Sequence, residues 1–468
     1  MAHIVIIGTC DTKLHELLYL RTQLLTQGAS KITLIDVGRT PTTHPDITIS
    51  QPTLLTNYSP RKQQQQQNHQ QQDEEQDQKQ QEEENQDPTT LPRSEFITHM
   101  SLCASNWISQ THSSSNPSQQ IHGIISAGGT GNTSLVSTAL RSSSLPLGFP
   151  KLIVSTAASG DTSPIIGESD IILMPSIVDI AGTNSLLCRI LSNAAGAMVG
   201  MAKSYLTSLS PSPSSSSSGN KKKKIKIALT MFGVTTPAIT TIRSHLESTS
   251  THEFEIFIFH ATGHGGLAME SLISSGEIDA IIDLTTTEIA DYIVGGNMSA
   301  GPYRLEAALK MGIPCVISLG ALDMVNFGPK STLPPKFHNR LIYQHNSTVT
   351  LMRTSPAENK LIGEYIVEKI LSFTSPSPTS PSSPSSSSPK AMVQIIFPKG
   401  GLSLLSTPDQ PFYDPKADEV LFETIREGLR GCRGVEVVED ERGVNDEGFA
   451  GDVAEVLVGL LEGLEGDT

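Results

Sequence analysis

Short apolar runs recur along the chain, each followed by a longer stretch in which apolar positions return every three to four residues. In the first part, His3 to Gly8, Lys31 to Val37, Gly123 to Ala127, Lys151 to Thr156 and Asp170 to Pro175 read as buried strands. Helical spacing runs from about Thr12 to Gln27, around Ser94 to Ser109, onward from Asn132, and from Gly182 to Tyr205. After residue 224 the pattern restarts. "IKIALTMFG", "FEIFIFH", "DAIIDL", "PCVISLG" and "AMVQIIFP" read as strands, and Thr236 to Ser248, Gly266 to Ser275, Thr287 to Val294, Asp418 to Leu429 and Val453 to Leu464 as helices. Continuous apolar strands alternating with helices mark a parallel sheet covered on both faces. The pattern predicts an α/β chain with two doubly wound parallel-sheet subdomains. In such sheets ligands sit outside the carboxyl ends of the strands, so the loops after each strand carry the interest.

Three polar stretches interrupt the pattern: a Gln/Glu-rich insertion at 57–92, a Ser/Lys linker at 208–224 and a Ser/Pro-rich insertion at 372–390. Gln63 to Asp87 contains no hydrophobic residue, so it cannot offset the entropy of ordering and is expected to be disordered. The domains therefore read as 1–207 and 225–468, and Thr111 to Gln120 as a long loop.

Composition narrows the function classes. Hydrophobic residues make up 37% and aromatics 5%, which suits an aliphatic α/β core. A net charge of -15 argues against a nucleic-acid surface, since phosphate backbones are bound by clustered Lys and Arg. Five scattered cysteines without a CxxC pair point to a reducing compartment rather than a disulfide or zinc framework. The N-terminal apolar run is too short for a signal peptide, and no run is read as approaching a membrane span, so the expectation is a soluble, cytoplasmic protein.

Two strand-end loops favour an anion. "GTCDTK" offers Gly8 for a sharp turn, Thr9, then Asp11 or Thr12 as a helix cap, and Lys13 as a nearby positive charge. "GGTGNT" places Gly128, Gly129, Thr130, Gly131, Asn132 and Thr133 between a strand and a helix, with glycines free to adopt left-handed backbone and hydroxyl and amide donors beside them. It is not a P-loop, because Walker spacing requires Gly-Lys-Ser/Thr. The missing cation must come from elsewhere, with Lys13 the nearest nominee; tight helix-to-sheet packing is the alternative reading. "STAASGDTS" repeats the character with Ser159 and Gly160, and Asp179 reads either as a magnesium or ribose partner or as a helix cap.

The second part carries a different set. His260 and His264 flank a glycine turn, where an acid/base or anion-contacting histidine is favoured over a metal ligand. Thr285 and Glu288 have capping-box spacing. Asp323, His345 and Arg353 lie in polar segments of weak periodicity. An enzyme acting on a small acidic metabolite would use His260, Glu288, Asp323, His345 and Arg353 together, with Arg353 binding the carboxylate or phosphate.

The ordered set "GTCDTK", "GGTGNTSL", "MPSIVDIAGTN", "LTMFGVTTP", "FHATGHGGLAME", "DLTTTEIADYIVGG", "SLGALDMVNFGPK", "HNSTVTLMRT" and "FYDPKAD" resembles the Tm-one-like ATP-binding domain family over nearly the whole chain outside the polar inserts. The resemblance implies two Rossmann-like subdomains, ATP binding and self-association as a homodimer. Carried onto this chain, the nucleotide contacts fall on Gly8, Thr9, Asp11, Thr12 and Lys13 and on Gly128 to Thr133. The leading expectation is an ATP-binding protein, with Mg2+ as the nucleotide's companion and a cleft between the subdomains. The alternatives are the metabolite enzyme and a regulator that binds a protein partner and uses its nucleotide for stability.

Overall fold

The computed structural model describes residues 2–60, 87–116, 119–209, 224–249, 251–374 and 393–465. The bodies of the three polar stretches, 61–86, 210–223 and 375–392, lie outside the described residues. The chain divides into two compact units, Met1–Gly219 and Asn220–Thr468.

In unit 1, β1 (His3–Gly8), α1 (Cys10–Thr26), β2 (Lys31–Asp36), α2 (Gln51–Tyr58), α3 (Arg93–His112), β3 (Gly123–Gly128), α4 (Thr130–Arg141), β4 (Lys151–Ser155), α5 (Ser163–Ile166), β5 (Ile172–Pro175) and α6 (Ser185–Leu209) follow in turn. All five strands are parallel, in the order β2-β1-β3-β4-β5. Alternate residues of β1 feed opposite faces. Ile4 and Ile6 join Leu17, Leu20 and Leu24 of α1 and Leu191 and Met198 of α6, while Val5 and Ile7 join Met100 and Trp107 of α3 and Val136 of α4. Each such aliphatic side chain contributes about 1.5–3 kcal/mol when fully buried, which is why the strands read as unbroken apolar runs. The β1 to β3 step reverses the direction in which strands are added, so the loops after β1 and β3 flank a topological switch point.

The expectation that no run approaches a membrane span is corrected by α6. Its 25 residues are long and apolar enough to cross a bilayer by length and composition, with 39% of the most apolar window buried. The apolarity has a local cause. Leu187, Leu191, Ala194, Ala195, Met198, Val199 and Ala202 form the stripe that packs on the sheet.

Unit 2 contains β6 (Ile225–Met231), α7 (Thr236–Ser248), β7 (Phe254–His260), α8 (His264–Ser274), β8 (Ala280–Thr285), α9 (Thr287–Val294), α10 (Glu306–Met311), β9 (Cys315–Gly320), β10 (Met324–Phe327), β11 (Ile342–Gln344), β12 (Thr350–Arg353), α11 (Pro356–Thr374), β13 (Val393–Pro398), α12 (Pro415–Gly428), β14 (Val435–Asp440) and α13 (Glu447–Glu465). Its six-stranded parallel sheet runs β14-β13-β9-β8-β6-β7, so the first three strands repeat the winding of unit 1, with the switch between β6 and β8. Strands β10, β12 and β11 form a separate antiparallel sheet.

Several elements depart from the sequence reading. α2 and a 3-10 turn at Pro88–Thr90 order the two ends of the 57–92 stretch. The polar segment holding His345 and Arg353 is a β-hairpin, with Tyr343 paired opposite Leu351, and it leads into α11. The capping box lies at Ser355 and Glu358. Ser355 N donates to Glu358 Oε2 at 2.7 Å, and Glu358 N donates to Ser355 Oγ at 3.4 Å. At Thr285 and Glu288 there is none: Thr285 Oγ1 donates to Thr230 O at 3.0 Å, and Glu288 turns into the interior.

Candidate functional site

Helix α4 begins at Thr130 with Gly129 as its N-cap, and no side chain caps it. Thr133 N reaches back to Gly129 O at 2.9 Å. The N–H groups of Thr130, Gly131 and Asn132 precede that first turn of bonding and face outward from the carboxyl end of β3. They form a concentrated set of donors at the positive end of a helix dipole.

The glycines before them serve close approach rather than unusual dihedral angles. None of Gly8, Gly128, Gly129 or Gly131 has positive φ, which corrects the left-handed reading. A Cβ on Gly128 would stand 2.6 Å from Asn132 Cβ, and one on Gly8 would stand 2.6 Å from Leu17 Cδ1. Gly129 is different. A Cβ there meets only Thr156 Oγ1, at 3.8 Å, so its exposed side faces open space.

Two of the expected donors turn inward. Asn132 Nδ2 donates to Ser126 Oγ at 2.8 Å, and Ser126 Oγ in turn donates to Ile7 O at 2.6 Å, tying α4 to β3 and β1. Thr133 Oγ1 is 2.6 Å from Ser155 Oγ on β4. Thr130 stays exposed at the helix start.

The loop after β1 is more fully occupied. Asp36, at the end of β2 and completely buried, accepts Cys10 N at 3.0 Å and Gly38 N at 2.8 Å. Burial raises the Asp36 carboxyl above its ordinary range, and the Gly38 and Cys10 N–H groups oppose that shift. A protein carboxylate thus already holds the first N–H of α1. Asp11 does not cap that helix, because Thr9 is the N-cap and Asp11 Oδ2 accepts Arg39 N at 2.9 Å and Thr40 N at 3.1 Å from the loop after β2. Thr12 Oγ1 lies 3.1 Å from Thr9 Oγ1, and Lys13 interrupts the helix with φ -131°. Asp36 was not singled out from the sequence; its signal was the acidic residue closing "KITLID".

Arg93 brings a cation beside the α4 loop. The Nη2 of Arg93 would lie 3.1 Å from a Cβ on Gly131. Arg93 is exposed, opens α3, and has no ion-pair partner among the described residues. A positive charge in the first turn of a helix works against the dipole by a few tenths of a kcal/mol, so local helix stability does not account for it.

Next to this loop lies a pocket of about 500 Å³ at the carboxyl ends of β4 and β5. Thr156, Ser159, Pro175, Ile177, Val178 and Asp179 are among its walls. The pocket joins the α4 loop through Thr156, whose N–H donates to Gly128 O at 3.4 Å. Ser159 and Asp179 meet there, while Gly160 is exposed and outside the lining. Asp179 caps no helix; Asn184 Oδ1 accepts Leu186 N at 3.1 Å and Leu187 N at 2.9 Å at the start of α6.

The carboxyl edge of unit 2 is filled by its own chain. Phe232, Val234, Ala321, Met324, Leu351 and Phe412 form a buried cluster over the strand ends. Leu404 N donates to Val234 O at 3.1 Å, and Ala321 N to Leu402 O at 2.7 Å. Glu288 is fully buried and accepts Gly263 N at 2.6 Å, Gly266 N at 3.1 Å and Arg304 Nε at 2.8 Å. Arg304 also binds Asp283 through two bonds of 2.7 and 2.9 Å, and Glu270 at 3.1 Å. Burial works against the Arg304 charge, but Asp283 and Glu288 raise its pKa well above the ordinary value; burial likewise raises Glu270 and Glu288. Sequence reading missed Arg304, which lies in a segment without periodicity.

Asp323 and Arg353 are neighbours in a second buried network. Asp323 Oδ2 accepts Ser403 Oγ at 2.8 Å, and Arg353 pairs with Asp418 at 2.6 Å while donating to Phe412 O at 2.7 Å. His260 and His345 are exposed, the first at the end of β7 and the second in the β11–β12 turn. The five residues therefore divide between two buried networks and two exposed loops, and among the described residues no hydrogen bond links Glu288 to Asp323 or Arg353.

Comparison with known proteins places these units in a family. The N-terminal domain of Uncharacterised protein family UPF0261 matches residues 2–81 and 64–207, and its C-terminal domain matches 224–461. A UPF0261 protein of Clostridium tetani is 43% identical over 73% of this chain and 76% of its own length. A UPF0261 protein of Mesorhizobium japonicum is 36% identical over 98% of this chain and 99% of its own. The ToMV resistance protein Tm-1(GCR237) of tomato is 42% identical over 72% of this chain, and the match spans 41% of that longer protein. The chain belongs to the UPF0261 family.

Proposed function

We propose that this UPF0261 protein binds a nucleotide, ATP by the sequence resemblance, with its phosphates on the start of α4 in unit 1. The carrying observation is the uncapped α4 N-terminus with the unpaired Arg93 guanidinium beside Gly131. Backbone N–H groups would take the phosphate oxygens and Arg93 would supply the charge that the loop itself lacks. The residues fit the group: the donors are unfulfilled, the approach is lined by glycine, and a pocket continues from it. Among the described residues no three metal-ligating side chains converge, so Mg2+ would arrive with the phosphates, as is usual for this hard, strongly hydrated ion.

This reading moves the site away from the loop after β1. Gly8, Thr9, Asp11 and Thr12 shape the neighbouring strand end, and Asp36 occupies the N–H of Cys10. The metabolite-enzyme alternative gains no comparable support, because Glu288, Asp323 and Arg353 are engaged in buried contacts.

Calorimetric titration of the full chain with ATP and Mg2+ tests the proposal. Wild type should bind, while Gly129→Val and Arg93→Ala should each weaken binding at least tenfold without lowering the unfolding midpoint. Absence of binding, or binding indifferent to both substitutions, would overturn it.

A further inference from the structure

The backbone is strained at one exposed point of unit 1, and that point borders the pocket. Ile177 has φ +62° and is 78% exposed. Val178 N donates to Ser176 O at 2.7 Å, closing a three-residue γ-turn of the rare positive-φ kind around Ile177, and Ser176 Oγ holds Val178 O at 2.6 Å. A β-branched residue is the worst choice for this backbone and glycine the best. Strain of this sort, in a turn fixed by two hydrogen bonds, concentrates at ligand clamps. The exposed isoleucine adds no core packing, and its apolar surface is free to be covered by a ligand.

We infer that Ile177 is the platform for the purine of the bound nucleotide, with the pocket between the β4 and β5 loops as the base and ribose site. The inference rests on the phosphate reading of α4. About 500 Å³ is within the range of small-molecule sites, roughly 300–1,000 Å³. Pro175, Ile177 and Val178 give one apolar side, while Thr156, Ser159 and Asp179 give a polar rim. A flat heterocycle has an apolar face and hydrogen-bonding edges and matches both; a bare polyphosphate needs neither. Thr156 belongs to both regions, lining the pocket and approaching the space in front of Gly129, so one ligand can span them. The exposed carboxylate of Asp179 accepts from ribose hydroxyls or an exocyclic amino group.

The test compares ATP with inorganic triphosphate by titration calorimetry, using wild type, Ile177→Gly and Ile177→Asn. Both replacements tolerate positive φ, so the turn is kept and the apolar surface removed. Wild type is expected to bind ATP at least tenfold more tightly than triphosphate. Each variant should lose most of that ratio, keep its triphosphate affinity, and unfold at or above the wild-type midpoint. Equal binding of the two ligands by wild type, an unchanged ratio in both variants, or an equal weakening of both ligands overturns the base site and leaves the phosphate reading standing. If wild type binds neither ligand, both readings fall.

Discussion

The two units wind their first strands in the same order, yet their carboxyl edges differ in what occupies the switch point. In unit 1 the loops after β3, β4 and β5 leave helix donors uncapped, a cation unpaired and a pocket beside them. In unit 2 the same edge is closed by the β10–β12 sheet, the Phe412 segment and a buried network around Arg304. Topology offers a binding position in both. The side chains and insertions that follow decide whether it is left open or filled.

The largest test of this contrast is Arg304→Met. It leaves Asp283, Glu288 and Glu270 without their shared cation, and loss of one partner in such a buried set costs about 3–5 kcal/mol. Unit 2 should unfold at markedly lower urea, whereas Arg93→Ala in unit 1 should shift stability by less than about 0.5 kcal/mol. A near-neutral Arg304→Met would mean that the filled edge is not held by charge.

Glycine substitutions sharpen the comparison at a lower level. A Cβ on Gly266 would overlap the Glu288 carboxylate, so Gly266→Ala is expected to cost about 1–3 kcal/mol. Gly129→Ala has room, and its stability change should stay within about 0.5 kcal/mol by thermal unfolding.

A pH experiment probes the buried side of the contrast alone. Burial pushes the Asp291 carboxyl up to about 7, against the opposing hydrogen bonds from Asn326. The unfolded carboxyl titrates near about 4, so between roughly pH 4 and 7 the folded protein keeps a proton that the unfolded chain has released. That group's contribution therefore makes stability fall as pH rises through the window and level off above it. Asp291→Asn removes the term, and the gap between wild type and variant in urea unfolding should change between pH 4.5 and 7.5 by about 3 kcal/mol. A constant gap would refute the assignment.

Much of this architecture was legible because buried parallel strands must be apolar on both faces, and runs such as "HIVIIG" and "AIIDLT" state that directly. The β3 loop was legible for a similar reason, since glycines between a strand and a helix signal close approach. What escaped were features set by distant partners. Arg93 lies 38 residues before Gly131 in the numbering yet stands beside it, and Arg304 gathers carboxylates from three different elements. Neither pairing has a local spacing to read. α11 did carry one, with Ile362, Tyr365, Ile366 and Ile370 on its buried face behind the Ser355–Glu358 box. The polar segment of weak periodicity before it obscures where that helix starts.

The donors at the start of α4 belong to the main chain, and this governs how such a site is inherited and lost. Exchanging Thr130 for another residue leaves the N–H groups in place, so the loop tolerates drift in its visible polar side chains. Added bulk at Gly129 would instead fill the space in front of the amides and block the proposed phosphate position. In a lineage that abandoned the ligand, the first mark would be an extra carbon at that position, while every polar letter of the motif could still be intact.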